Sequence, residues 1–225
     1  MITLISISFY SLTYIGFGKG YYKFWYDLSY IGITSTFLIL IFQIVQKVGV
    51  NISLILQDDN FHYLVVSVLF LILRPYVFLP LVPFFIYSVF HVLAYVNGYI
   101  LPILSIDTKQ ISTILTNFIN NNNYKSVQVG SLIELYSLGW LFLRLITIRK
   151  RSLMPFIIYF IFIKVRFEKN IFTRNYVKSF EIQIDKIINQ LELPILKNSW
   201  IQFKQILKPL CNVYLVNDYT KEKVN

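Results

Sequence analysis

Asp59, His62, His91, Glu134 and Arg144 are the side chains in apolar surroundings whose chemistry could matter. Two imidazoles and a carboxylate can in principle ligate a metal or relay a proton, so Asp59, His62 and His91 form one candidate constellation. The alternative is structural: Asp58-Asp59-Asn60 caps a helix that starts near His62, and His91 hydrogen-bonds inside a bundle. Glu134 and Arg144 are ten residues apart, about 15 Å along a helix, too far to pair with each other. Charges within a membrane are expensive and call for a partner or a function. Helix–helix or interfacial pairing accounts for both as well as a polar cavity does. No P-loop, GxGxxG, HExxH or GxSxG pattern occurs. The expectation is a protein without enzymatic activity, cofactor or metal. Cys211 is the only cysteine, so one chain forms neither an internal disulfide nor a cysteine cage for a metal.

The elements that position these residues are organised around the stretch from Phe61 to Val96. Its only formal charge is Arg74. One membrane crossing needs about 20 apolar residues, and this run exceeds one crossing without reaching two. Pro75 cannot donate to a helical ladder and restricts the residue before it. The stretch therefore reads as two helices broken at Arg74-Pro75, with Pro80 and Pro83 beyond the break. Upstream, residues 2–18 lack the basic start and cleavage site of a signal peptide and read as a first membrane helix. Lys19, Lys23 and Asp27, with Tyr21, Tyr22, Trp25 and Tyr26, suit a headgroup belt. Residues 28–46 form the next apolar segment. Asn51-Ile52-Ser53 is a formal glycosylation sequon, a weak signal that matters only in a lumenal loop. Downstream, Thr108 to Ile119 is amphipathic, Asn120 to Asn123 reads as a turn, and residues 132–148 form another membrane segment. Leu153 to Ile163 is apolar but spans only about 17 Å as a helix. Cations precede it at Arg149-Lys150-Arg151 and follow it at Lys164, Arg166 and Lys169, which favours a re-entrant or interfacial segment over a tilted crossing.

Composition agrees with a membrane protein. Hydrophobic residues make up 56% and charged residues 14% of the chain, and 20 Phe and 17 Tyr supply rings for lipid-facing and interfacial positions. The net charge of +10 is uneven: up to Leu143 there are six Lys/Arg against five Asp/Glu, and from Arg144 onward fifteen against six. The expected architecture is an all-α, polytopic integral membrane protein with amphipathic C-terminal helices. Residues 1–164 form its membrane-embedded part and 165–225 a basic region on the cytoplasmic or nucleoplasmic side. In that region Val177, Phe180, Ile184, Ile187 and Leu191 form one helical stripe. After Pro194, Leu196, Trp200, Phe203, Leu207 and Leu210 form a second, about 80° wide on a helical wheel. Lys197, Lys204 and Lys208 flank it, an arrangement suited to an anionic membrane surface. Packing of the two stripes against each other across Pro194 is the alternative. Asp218 to Asn225 reads as a disordered tail.

Three segments carry a resemblance. They are Asp58-Asp59-Asn60-Phe61-His62-Tyr63-Leu64, Pro83-Phe84-Phe85-Ile86-Tyr87-Ser88-Val89-Phe90-His91 with Tyr95, and Met154-Pro155-Phe156-Ile157-Ile158-Tyr159 leading to Lys164-Val165-Arg166-Phe167, Asn170 and Arg174. Their order resembles the transmembrane protein 33 family, which includes fungal pore-membrane proteins, and Asp59, His62 and His91 are its pattern positions here. The resemblance implies residence in the endoplasmic reticulum and nuclear envelope. It further implies a part in nuclear pore complex assembly or distribution, and in membrane organisation with reticulon-type proteins. Nucleoporins and an import receptor become expected partners beside the lipid bilayer, and nucleic acid does not.

Two rivals stand beside this reading: a membrane enzyme or transporter using His62, His91, Glu134 and Arg144, and a regulatory subunit of a channel or receptor. The segment Leu153 to Ile163 gives a direct test of the topology. With Cys211 replaced, single cysteines at positions 150 and 169 should both react with an impermeant reagent added to the cytoplasmic side. Labelling of only one would reveal a full crossing.

Overall fold

The computed structural model describes residues 1–103, 109–149, 151–191 and 193–216, without the side chains of residues 48 and 210–212. Thr108, Lys150 and the tail from Asp218 to Asn225 lie outside the described residues. Every regular element among the described residues is helical. The chain divides into two compact units, Met1–Phe160 and Ile161–Asn225.

In the first unit α1 (Ile2–Tyr14) leads through a turn at Lys19–Tyr21 to α2 (Tyr22–Val48), followed by the short α3 (Ile52–Gln57), α4 (Asp59–Leu73) and α5 (Val82–Tyr95). A π-helical turn at Val96–Ile100 runs into α6 (Leu101–Ile103), and α7 occupies Lys109–Ile146. Helix α8 (Leu153–Lys169) contains the boundary between the units. The stretches Lys19–Lys47, Leu79–Ile103 and Lys109–Ile146 are long and apolar enough to cross a membrane. The chain is an all-α polytopic membrane protein. Apolar side chains remain exposed along these helices, including Ile31, Leu38, Ile39 and Phe42 on α2 and Trp140, Phe142 and Leu143 on α7, as lipid-facing surfaces require.

The breaks follow backbone chemistry. Helix α1 ends at Tyr14, short of the expected Gly18, because Gly16 and Gly18 take positive φ angles of 104° and 65°, which glycine adopts without a steric penalty. Its thirteen residues rise about 20 Å against a hydrocarbon core of about 30 Å. Helix α4 ends at the expected place. Arg74 turns left-handed, with φ 48° and ψ 58°, and its N–H caps the Phe70 carbonyl. Pro80 and Pro83 stand in the first turns of the short 3-10 segment Leu79–Leu81 and of α5, where the missing N–H breaks no helical bond. An expected turn is absent. Asn120 to Asn123 is not a turn but the interior of α7, a continuous 38-residue helix. Asn122 donates its side-chain N–H to the Phe118 carbonyl one turn back, so local polarity is absorbed without ending the helix.

Packing is aromatic and close. Helix α1 lies on α2 and α5, α2 on α4, and α5 on α7. Phe9 stacks on Trp25 with ring centroids 4.6 Å apart, and Phe37 on Tyr63 at 5.3 Å. Tyr26, expected in the headgroup belt, is instead fully buried between Tyr10, Tyr30 and Tyr76. It shares a helical face with Ser29, Tyr30 and Ile33, all buried, whereas Tyr21 and Tyr22 are exposed. Gly130 admits the Tyr87 ring so closely that an added Cβ would collide with its hydroxyl. Buried Ser6, Thr13 and Ser137 return their hydroxyls to carbonyls of their own helices, which satisfies them where water is excluded.

Across this packing Tyr63 of α4 donates its hydroxyl to Glu134 Oε1 of α7 at 2.6 Å, with Glu134 fully buried. Tyr63→Phe should lower the unfolding free energy by about 1–2 kcal/mol, measured on purified protein in detergent. The same substitution should have a smaller effect in a Glu134→Gln background.

Candidate functional site

Among the described residues the candidate metal-ligating side chains do not gather into one centre. Asp58 caps α4, accepting the Asn60 backbone N–H at 2.8 Å. His62 Nε2 lies 2.8 Å from the Leu56 carbonyl, which ties α4 back to α3. His91 is exposed on α5 and borders a cavity of about 270 Å³ that Asn60, Tyr63 and Tyr87 also line. Among the described residues no three His, Cys, Asp or Glu side chains are grouped as a metal site would need. Asp59, His62 and His91 thus occupy a helix start and a separate helix face. Glu134 and Arg144 each meet another segment: Glu134 takes the Tyr63 hydroxyl, and Arg144 Nη2 donates to the Pro75 carbonyl at 3.3 Å. Arg144 therefore satisfies a carbonyl of the segment that follows the Arg74-Pro75 break.

The second unit carries the amphipathic helices. Helix α9 (Ile171–Leu191) begins after Asn170, whose side chain accepts the Phe172 N–H at 2.8 Å. Helix α10 (Pro194–Asn212) begins with proline in its first turn. Trp200 Nε1 donates to Asp185 Oδ1 at 2.6 Å, and Lys204 Nζ lies 2.9 Å from the same oxygen and 3.4 Å from Glu181. The two helices form a hairpin joined by polar contacts. The Lys204 ammonium and the Trp200 indole hold the Asp185 carboxyl below its usual range, and Asp185 raises the Lys204 ammonium. The pair is therefore intact at neutral pH. It is lost as pH falls through the lowered Asp185 value, or as pH rises through the raised Lys204 value.

The expected stripe is divided by this pairing. Trp200 and Lys204 turn toward α9, with Trp200 stacked on Phe203 at 5.5 Å. Leu196 and Phe203 remain exposed, as do Ile184, Ile187 and Leu191 of α9, while Leu207 is half-buried. Lys197 and Lys208 are exposed. Leu210 lies on α10 with its side chain outside the described ones.

Sequence reasoning missed Glu168. Its carboxylate is fully buried at the end of α8, accepting the backbone N–H groups of Leu215 at 3.0 Å and Val216 at 2.8 Å. Lys164 pairs with it at 3.2 Å and lies 5.7 Å from the Tyr214 ring. The chain that leaves α10 is thereby fastened back to α8. The available hint was an acidic residue one helical turn from Lys164, whereas the backbone N–H groups of Leu215 and Val216 are partners that no side-chain pattern announces.

Comparison with known proteins places this architecture. A family model described as transmembrane protein 33/nucleoporin POM33 matches residues 1–207. Tetra-spanning protein 1 of Schizosaccharomyces pombe is 28% identical over 160 residues, covering 67% of this chain and 57% of that relative. Nucleoporin POM33 of Chaetomium thermophilum is 28% identical over a 244-residue alignment, covering 96% of this chain and 84% of the relative. The pore membrane protein of 33 kDa of Saccharomyces cerevisiae is 26% identical over 192 residues, 76% of this chain and 68% of the relative. No solved structure matches. With a family match running from the first residue to within α10, the chain belongs to the transmembrane protein 33/POM33 family.

Proposed function

We propose that this chain is a non-enzymatic membrane protein of the endoplasmic reticulum and nuclear envelope that organises membrane shape and contributes to nuclear pore complex assembly or distribution. The observation that carries the reading is the α9–α10 hairpin, which leaves Leu196 and Phe203 uncovered beside exposed Lys197 and Lys208 and is joined in sequence to a bundle built for lipid. Apolar side chains beside lysines fit the headgroup boundary of an anionic bilayer, each nearby lysine contributing on the order of 1 kcal/mol, screened by salt. A helix lying in one leaflet adds area on one side only, which favours curvature, and Leu153 to Ile163 supplies asymmetry of its own in a re-entrant reading. The names of the relatives support a place at the nuclear pore. Nucleoporins, reticulon-type proteins and an import receptor are the proposed protein partners.

The basic end of the first unit supports the orientation. Lys23, Arg74, Arg149 and Arg151 border one cleft, and cations favour the cytoplasmic face. Protease added to sealed microsomes should therefore remove a C-terminal tag, and protection of the tag would reverse the orientation. The hairpin is tested in the whole protein, reconstituted in anionic vesicles with Trp25 and Trp140 replaced by Phe. Brominated acyl chains should quench Trp200, and Leu196→Asp with Phe203→Asp should abolish the quenching. In cells the same pair of substitutions should leave the protein membrane-integrated but cluster the pores of the nuclear envelope. A Trp200 signal indifferent to lipid at every composition would assign the hairpin to a protein interface.

A further inference from the structure

We infer that the cleft at the basic end of the first unit is a binding site for a phosphate monoester, carried by an anionic lipid such as phosphatidic acid. The cleft measures about 900 Å³, within the range of small-molecule sites. Lys23 of α2, Arg74 after α4, and Arg149 and Arg151 between α7 and α8 supply its charge, and none of its lining residues is acidic. Asp27 pairs with Arg74 at 3.4 Å from beside it, and that arginine is still half-exposed. Arg149 and Arg151 are exposed, with no ion pair among the described residues.

Two further observations separate this cleft from an ordinary basic patch. The non-glycine residues with positive φ among the described residues are Arg74, Tyr76, Ile148 and Arg151, and all four line it. Left-handed backbone is costly for such residues, above all for β-branched Ile148, and persists where the surroundings require it. Here it brings Arg74 and Arg151, distant in sequence, to one cavity. Ser152 is the second observation. It is 3% exposed, its hydroxyl is buried without a hydrogen-bond partner, and it lines the same cleft just before the start of α8.

The donor set selects the ligand. Guanidinium groups bind phosphate oxygens in bidentate fashion, and a phosphate monoester offers more charge and more free oxygens than the diester of phosphatidylserine. A serine hydroxyl donates to the same oxygens. Ile72, Leu73, Leu153 and Met154 supply an apolar wall along which an acyl chain can continue, and which a soluble phosphate would leave unused.

The experiment uses the full chain in nanodiscs of neutral phosphatidylcholine, doped with phosphatidic acid or with phosphatidylserine. Native mass spectrometry reads lipid retention and thermal unfolding reads stabilisation. Phosphatidic acid should be retained in preference to phosphatidylserine and should raise the unfolding midpoint. Arg149→Gln with Arg151→Gln should weaken retention by about tenfold or more, each charge-assisted contact being worth on the order of 1.4 kcal/mol or more. Ser152→Ala should weaken it without changing charge, and Lys109→Gln with Lys125→Gln, on α7 and away from the cleft, should leave it unchanged. A parallel arm adds glycerol phosphate to undoped discs. No stabilisation there assigns the site to lipid. Stabilisation that the two arginine substitutions remove keeps the phosphate site and overturns the lipid source. Equal retention of the two lipids, or undiminished retention by the Arg149/Arg151 variant, overturns the proposal.

Discussion

A carboxylate cannot be left alone inside an apolar bundle, and the first unit is arranged so that Glu134 is not. Its position on α7 brings the Tyr63 hydroxyl of α4 to 2.6 Å, and neighbouring contacts follow from that approach. Tyr63 stacks on Phe37 of α2, and Phe84 of α5 meets both rings edge-on. One turn from Glu134 on α7, Gly130 receives Tyr87. Helices that share only apolar surface gain little from each other in lipid, whose tails are as apolar as leucine. A polar contact flanked by fitted rings supplies the register that hydrophobicity alone would not.

The break after α4 is a second constraint. Ending the helix at Arg74 releases carbonyls that must find donors away from water. The Pro75 carbonyl takes the Arg144 guanidinium, and the Phe70 carbonyl takes the Arg74 N–H. A membrane arginine that looked like a functional charge in the sequence is in part a cap for an interrupted backbone.

Much of this was legible from residues alone because lipid imposes strict rules. Runs of apolar residues, the Arg74-Pro75 break and the second amphipathic helix after Pro194 could all be read from residue types and backbone geometry. The family could be named from the order of three segments. Tyr26 was misread because a headgroup tyrosine and a core tyrosine have the same composition around them, and only the partner helix decides. Asn120 to Asn123 was misread as a turn because local propensity favours one, while the helix on either side carries the segment through. The Glu134–Tyr63 contact joins residues 71 apart, and no spacing rule links them. In the C-terminal unit the stripe on α10 was visible, but not that Asp185 would draw Trp200 and Lys204 to one side of it.

The fastening of Leu215 and Val216 to Glu168 closes a loop of chain that contains all of α9 and α10. Such a closure removes conformations that an open-ended arm would explore, roughly as the logarithm of loop length. A hairpin held at both ends has already given up part of the freedom that adsorption to a surface would otherwise take from it. In the membrane role proposed above it would act as a wedge of fixed area rather than a searching tail, and each docked molecule would displace the same quantity of lipid. Bending in that role would be governed by how many copies are present, and would scale with their surface density.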